Sequence, residues 1–311
     1  MVHLRLVVPT DSAERVLHTL EQSPAVVNVV RLPGSSVKPR GDLFLCDVAR
    51  EEASVIVEHL RRLGLERDGS ISIDAVDSTI SAGARRATVA ARGAAADAVI
   101  WEEVEARTSE SAELSFSFLA FMMLATLIAA IGILTDSQIL IIGAMVVGPE
   151  FGPLAGLCVA LVQRRIELAR RSATALAVGF PIAIAVTFLV VLVLRAAGPA
   201  PDEIAAQGRP ATFFIAHPNT FSVLVALLAG VAGILSLTTA KSSALMGVLI
   251  SVTTIPAAAN VAVAAAYADW PELRGALSQL VLNLGCIVLA GVATLTVQRL
   301  AFNRRLRRAA T

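Results

Sequence analysis

Between residues 116 and 298 the sequence holds six apolar runs, and the second and fifth are each interrupted by proline at corresponding places. The interruptions read Gly148-Pro149-Glu150-Phe151-Gly152-Pro153 and Ser251-Val252-Thr253-Thr254-Ile255-Pro256. In hydrocarbon every backbone N–H and C=O must find a partner, so an interrupted helix persists only where protein or a water-filled cavity covers the gap. Two such gaps, one in each half of a membrane domain, are the sequence mark of a binding region between repeats. The expectation is an α-helical polytopic membrane domain of six spans, a 3+3 inverted repeat with broken second and fifth helices.

Composition agrees. The 311 residues are 56% hydrophobic with mean hydropathy +0.72, too apolar for an ordinary soluble protein. The net charge of +1 conceals an asymmetry: residues 1–113 carry 13 Lys+Arg against 18 Asp+Glu, and residues 114–311 carry 13 against 7. An acidic soluble domain therefore precedes a membrane domain with basic flanks. His3, Arg5, Asp11, Glu14 and Arg15 interrupt the first residues, so no signal peptide is expected. Aromatic content is 5% and no basic cluster is interleaved with aromatics, which speaks against nucleic acid as a partner. Cys46, Cys158 and Cys286 lie far apart and read as packing residues, with neither disulfide nor metal expected.

Residues 1–80 read β-α-β-β-α-β, the ferredoxin-like α+β pattern. Val2, Leu4, Leu6 and Val8 alternate along a first strand. Asp11 and Glu14 suggest a capping box ahead of the apolar face Ala13, Val16, Leu17 and Leu20. Ala25–Leu32 reads as a second strand, a Gly/Ser/Pro loop follows, and Leu43–Val48 is a third. Glu51–Leu63 forms a second helix stopped by Gly64, and Ile71, Ile73 and Ala75 alternate in a fourth strand. Such a domain serves assembly or metabolite sensing, and the fold alone chooses neither. Residues 81–115 form a helical connector in which Ile100, Trp101 and Val104 share a face. Glu102, Glu103 and Glu105 surround that face, so it is expected against the soluble domain rather than on anionic lipid.

The spans are 116–134, 139–162, 172–195, 220–240, 243–267 and 277–298, each near the ~20 residues needed to cross the hydrocarbon layer. With both termini inside, the cytoplasmic segments and the tail 299–311 hold ten Lys/Arg, and the outer side holds Arg195, Arg209 and Arg274. The positive-inside rule thus predicts a plasma (inner) membrane protein with cytoplasmic termini. Three spans per half invert the second half, and a shift of 103 positions lays Pro153 on Pro256.

Chemistry is expected at the two breaks. Pro149, Pro153 and Pro256 lack N–H groups, so helical carbonyls before them lose partners. Half-helix ends then offer carbonyls to cations and N–H groups to anions. Gly148 and Gly152 let the backbone unwind and a ligand come close. Thr253, Thr254 and Asn260 add hydroxyl and amide groups at the second break. Glu150 reads two ways: a proton carrier or cation ligand, because an intramembrane acid is functional by default, or a cap on the second half-helix. Asn283 and Gln279 face the same region, with interhelical hydrogen bonding the plainer role. Asp136 is expected solvated at a turn, Asn219 as a helix cap, and Gly230, Gly233 and Gly247 as close-packing residues. No nucleophile–base, metal-ligand or paired-carboxylate constellation appears, so neither an enzyme nor a cofactor is expected.

The run Ile141-Ile142-Gly143-Ala144-Met145-Val146-Val147-Gly148-Pro149 carries a resemblance, together with Gly152-Pro153-Leu154 and Ala226-Leu227-Leu228-Ala229-Gly230-Val231-Ala232-Gly233. Ser243-Ala244-Leu245-Met246-Gly247-Val248, Pro256 and Leu282-Asn283-Leu284 complete it. Over roughly residues 115–300 the chain resembles the bacterial membrane proteins grouped as domain of unknown function 389. The resemblance implies several spans with an added soluble domain and brings no substrate. Glu150 stands where that family commonly has an apolar residue, and Ile255-Pro256 where it often has two prolines. The reading is a secondary transporter of a small solute, coupled to H+ or Na+ through Glu150. Alternatives are an ion channel, or a sensor or scaffold anchored in the bilayer. Small-residue faces also suit a homo-oligomer.

Overall fold

The structure, a computed structural model, describes residues 1–76, 79–91, 99–198, 212–239 and 253–309. They fall into two units, one dominated by residues 1–104 and the other by residues 105–303.

In the first unit, β1 (Val2–Val8), β2 (Val26–Val37), β3 (Arg40–Val48) and β4 (Ser70–Ala75) form one antiparallel sheet in the order β2-β3-β1-β4. Alternation on β1 puts Val2, Leu4, Leu6 and Val8 on one buried face. There they meet Val16 and Leu20 of α1 (Ala13–Gln22) and Ile56, Val57 and Leu60 of α2 (Ala53–Arg62). The β-α-β-β-α-β order read from the sequence is present, with a one-turn helix α3 (Leu65–Asp68) added after Gly64, whose φ of +87° ends α2. Cys46 is a packing residue as expected, and burial pushes its thiol up to about 12.

Two local expectations are corrected. The capping box from Asp11 to Glu14 does not form. Thr10–Ser12 make a 3-10 turn, the helix starts at Ala13, and Glu14 Oε1 accepts from Arg31 at 2.7 Å instead. The Gly/Ser/Pro stretch is not a loop either, because β2 runs on to Val37 and pairs with β3 from Arg40. Asp42 explains this continuation: its carboxylate accepts from Gly34 N–H at 2.9 Å and from Arg31 Nε at 2.9 Å across the hairpin. The Gly34 N–H, with the Arg31 guanidinium behind it, holds the Asp42 carboxyl below the usual carboxylate range.

The connector contributes α4 (Ala82–Ala90), capped by Ser81 Oγ, and α5 (Trp101–Ser111). Ile100 joins the core of the sheet unit, the Trp101 N–H donates to Ser54 Oγ, and Glu102 accepts from Ser54 and Arg61. The acidic start of α5 is thus held by the sheet unit's own side chains, as the sequence implies.

The second unit is helical: α6 (Phe116–Leu134), α7 (Gln138–Val147), α8 (Phe151–Gln163), α9 (Ile166–Ala196), α10 (Thr220–Thr238), α11 (Thr254–Ala266) and α12 (Trp270–Ala309). Four of these, α6, α9, α10 and α12, are long and apolar enough to cross a bilayer; α7 and α8, bent by 49° at their junction, make a fifth span if taken together. Leu189, Val193, Leu228, Val281 and Leu289 point outward, an apolar exterior that fits a multi-pass membrane protein. Of the expected fifth span, residues 243–252 lie outside the described residues, and α11 alone is too short to cross. The third and last runs extend as helices beyond 172–195 and 277–298. Hydropathy sees only the part matched to hydrocarbon, whereas hydrogen bonding continues through polar turns such as Glu167–Arg171.

Features of this unit recur at a spacing of 104 residues. Helices α6 and α10 have 19 residues each and start at 116 and 220. Ser115 Oγ caps α6 through the Phe118 N–H, and Asn219 Oδ1, as expected, caps α10 through the Ser222 N–H. After α8 the chain turns through Arg164 at φ 58°, and after α11 through Ala268 at φ 56°. The following N–H groups reach back identically, Arg165 to Ala160 O and Asp269 to Ala264 O, both at 2.9 Å. Helices α9 and α12 then begin at 166 and 270. Only the starts of α8 and α11 keep the proline-based spacing of 103. Proline is tolerated anywhere in a first turn, whose N–H groups have no intrahelical acceptor, so it marks the frame less sharply than the turns do.

Two arginines show the direction of each half. Arg195, at the end of α9, donates to Ala266 O at the end of α11, which turns into α12. Arg299, far along α12, donates to Val162 O near the end of α8, which turns into α9. Helices α9 and α12 therefore run in opposite directions. Each helix after a break also packs into the other half. Ile255, Ala258, Ala259 and Val263 of α11 sit among Met122, Ala129, Ile141 and Ala183 of α6, α7 and α9. Leu154 of α8 meets Ala229 and Ile287, and Cys158 Sγ donates to Val288 O at 3.6 Å. The alanines of α11 let backbones approach closely where no hydrophobic force drives helices together.

Candidate functional site

The break between α7 and α8 touches the start of α11; residues 251 and 252 of the second expected break lie outside the described residues. Gly148, Pro149 and Glu150 form the gap between α7 and α8, while Thr253 precedes α11. Pro153 and Pro256 each occupy the third residue of the helix that follows and are buried there. Their missing N–H groups would have lacked intrahelical partners in any case, so these prolines start helices rather than damage them. By contrast Pro181 lies inside α9 without splitting it. The difference is the Gly-Pro-Glu-Phe-Gly-Pro context, which puts two prolines four apart with a glycine before each.

Glu150 is 4% exposed, and its Oε1 accepts from Thr254 Oγ1 at 2.6 Å. Its Oε2 has no hydrogen-bond partner among the described residues, nor does any basic side chain among them pair with it. Glu150 holds the cap position of α8 but makes no side-chain cap bond, so the capping alternative is overturned: the carboxyl turns across to the other break. Gly148 lies against Ile255, where a Cβ would stand 2.6 Å from Ile255 Cγ1. Gly152 lies against Ser111 Cβ, also 2.6 Å from such a Cβ. Protein atoms thus pack closely in the Cβ direction of both glycines.

Thr253 gathers a second group. Its Oγ1 accepts from Asn283 Nδ2 at 2.8 Å and Gln279 Nε2 at 3.3 Å, and Gln279 Nε2 also donates to Asn283 Oδ1 at 3.2 Å. Gln279 and Asn283 lie one turn apart on α12, so one buried stripe of that helix carries both amides. Their interhelical role and their place in the candidate site are the same fact. Gln279 Oε1 has no hydrogen-bond partner among the described residues. Asn260 stands apart: its Nδ2 donates to Glu272 Oε1 at 2.9 Å, and its Oδ1 is buried and unpartnered. Sequence reading passed over Glu272, because an acid in the first turn of a helix normally signals only the dipole. Asp136, expected to be solvated, accepts from the buried Thr212 hydroxyl at 2.9 Å.

Two cavities approach these groups. One of about 430 Å³ runs from Gln138, Asn219 and Ser222 to Thr253, Gln279 and Asn283, with Ile141, Met145, Phe214 and Val225 on its walls. The other, about 380 Å³, runs from Glu110, Glu113 and Ser115 past Phe118 and Phe121 to Gly148, Pro149 and Gly152. The first touches the start of α10, and the second reaches Leu237 at its end. They therefore open toward opposite ends of the helices. Their linings correspond: Glu110, Ser115, Phe118, Phe121 and Pro149 stand 104 residues before Phe214, Asn219, Ser222, Val225 and Thr253. Both volumes lie in the range of small-molecule sites.

Comparison with known proteins places this region in a family. Residues 145–289 match a family described as a domain of unknown function, DUF389. An uncharacterized protein of Methanocaldococcus jannaschii is 28% identical over 158 residues, covering 51% of this chain and 47% of the relative. The chain thus spans about half the length of the curated relative it matches. No solved structure matches at a significant level. The matched stretch starts inside α7, contains Glu150, Thr253 and Thr254, and ends on α12 beyond Asn283, so over residues 145–289 this protein is similar to the DUF389 family.

Proposed function

We propose that this protein is a secondary carrier for a small solute, working by alternating access between two halves of inverted topology. The observation that carries the reading is the pair of cavities facing opposite ends, lined by residues 104 apart and separated by the Glu150–Thr254 contact. Two repeats in opposite orientation can exchange conformations, and the exchange closes one cavity while deepening the other. Six spans, with 243–267 as the fifth, and cytoplasmic termini follow from the basic residues at one side of the sequence. The ferredoxin-like N-terminal domain then lies in the cytoplasm as a regulatory or assembly module.

Glu150 supplies the coupling. A carboxylate moved out of water without a positive partner is far costlier than a neutral group, so a buried Glu150 holds a proton or a small cation. Opening either cavity breaks its bond to Thr254 and exposes it to that side. In proteoliposomes with an imposed pH or Na+ gradient, Glu150→Gln should fold and lose gradient-driven uptake, since the amide copies the protonated acid and cannot release the ion. Uptake by this variant equal to that of the unmodified protein at every pH would remove Glu150 from the mechanism.

A further inference from the structure

The floor of the larger cavity indicates what kind of solute it receives, and this inference rests on the carrier reading. Among its described lining residues there is no Asp, Glu, Lys, Arg or His. The polar groups at its end are Thr253, Gln279 and Asn283, the two amides 3% and 2% exposed. In the structure the Gln279 nitrogen faces the Thr253 and Asn283 oxygens. Among the described residues the Gln279 oxygen is left as a buried acceptor with no donor. A buried acceptor without a donor costs free energy, and a ligand that donates a hydrogen bond removes that cost.

The rest of the lining excludes charge. Ile141, Met145, Phe214 and Val225 make the walls apolar. A carboxylate or an ammonium entering there would lose its water and meet no opposite charge among the described lining residues. A hydroxyl or amide group loses far less, and it regains its bonds from the glutamine oxygen. We propose that the cargo is a small, uncharged solute bearing a hydroxyl or amide donor, received by Gln279 with Asn283 and Thr253 holding Gln279 in place.

The test is binding to the full chain in lipid nanodiscs, read as a saturable rise in unfolding temperature. The probes are glycerol and acetamide as neutral donors, with acetate and methylammonium at matched ionic strength. A general solvent effect is subtracted with Gln279→Met, which keeps the volume and removes the acceptor. The expected result is a saturable shift with at least one neutral probe, lost at least tenfold in apparent affinity in Gln279→Met, and none with acetate or methylammonium. Should Gln279→Met not fold, Gln279→Glu provides the same check, because an acid there should shift the preference to methylammonium. A response only to the ions, no saturable response to either neutral probe, or neutral binding unchanged by both substitutions would overturn the proposal. Neutral binding without flux into liposomes would instead discard the carrier and leave the site standing.

Discussion

At the first break the chain supplies an acid and no amide; at the second it supplies hydroxyls, with two amides beside them and no acid. The frames that hold these groups are alike in helix length, cap, turn and terminal arginine. Counting 104 residues from one half to the other, Glu150 corresponds to Thr254, Gly156 to Asn260, Ala175 to Gln279 and Gly179 to Asn283. Each amide of the second half therefore answers to a small residue in the first, and the acid answers to a hydroxyl. In the proposed carrier the frame occurs twice because alternating access needs two halves, whereas the chemistry is present once. Glu150 and Thr254 explain how once can suffice. They are equivalent positions that touch, and in the proposed inverted pair equivalent positions meet only near the axis relating the halves. A group on that axis is shared by both cavities.

The strongest way to break this comparison is to exchange its two sides. Glu150→Thr should abolish gradient-driven uptake, a loss of tenfold or more, because no acid remains. Adding Thr254→Glu restores a carboxyl–hydroxyl pair in mirrored order at the same place. If the positions are equivalent about an axis, the double exchange should recover uptake to within a few-fold of the original while either single exchange stays inactive. A double exchange that folds and remains as inactive as Glu150→Thr would show that the acid needs its own side.

How much of this was legible in the sequence depends on the length scale of the signal. Strand alternation at Val2, Leu4, Leu6 and Val8 and the apolar runs are signals repeated over many residues. The strand appears as expected, and of the six runs four appear as helices long enough to cross, with the bent pair α7 and α8 as a fifth. The breaks were legible because Gly148, Pro149, Gly152 and Pro153 act together on one stretch of backbone. Signals resting on one pair failed. Asp11 and Glu14 gave a capping box that Arg31 defeats, since an ion pair across the sheet competes for the same carboxylate. The orientation of Glu150 toward Thr254 instead of its own helix depends on a contact between residues 104 apart, which no local pattern encodes. The spacing of 103 read from the prolines holds at the starts of α8 and α11 and differs by one from that of the turns after them, because a proline can occupy any position of a first turn.

A sharper test of the frame uses the arginines. Arg195 and Arg299 each donate to a carbonyl near the end of the opposite half's short helix, and those carbonyls have no other obligatory donor. Arg299→Ala should lower stability by about 1.5–2 kcal/mol, the scale of one hydrogen bond to a charged group. Arg195 also lies over the Tyr267 ring, 4.2 Å from its centre, and the equivalent position in the first half is Gln163. Arg195→Ala should therefore cost roughly 0.5–1 kcal/mol more than Arg299→Ala. Reversible unfolding in detergent micelles measures both. If Arg299→Ala proves neutral and only Arg195→Ala costs stability, the aromatic contact accounts for the effect and the arginines are not counterparts.

The smallest expected effect concerns how each half packs internally. In the first half Thr187 Oγ1 donates to Thr126 Oγ1 at 3.0 Å, joining α9 to α6 through a buried hydroxyl pair. The equivalent residues of α10 and α12 are Gly230 and Gly291, where the helices meet by close approach: a Cβ on Gly230 would stand 2.8 Å from Ile287 O. One half thus uses a hydrogen bond at the position where the other uses absence of a side chain. Hydrogen bonds between helices in lipid average about 0.6 kcal/mol, because the unfolded chain in the membrane also finds partners. Thr126→Val should therefore cost about 0.6 kcal/mol, with Thr126 Oγ1 also giving up its bonds to the carbonyls of Met122 and Met123 within its own helix. The double substitution Thr126→Val with Thr187→Val should add little to the single one, since one bond is lost only once. Full additivity of the two in the same unfolding assay would mean that the hydroxyls act separately, and that tight packing rather than polar pairing joins the helices in both halves.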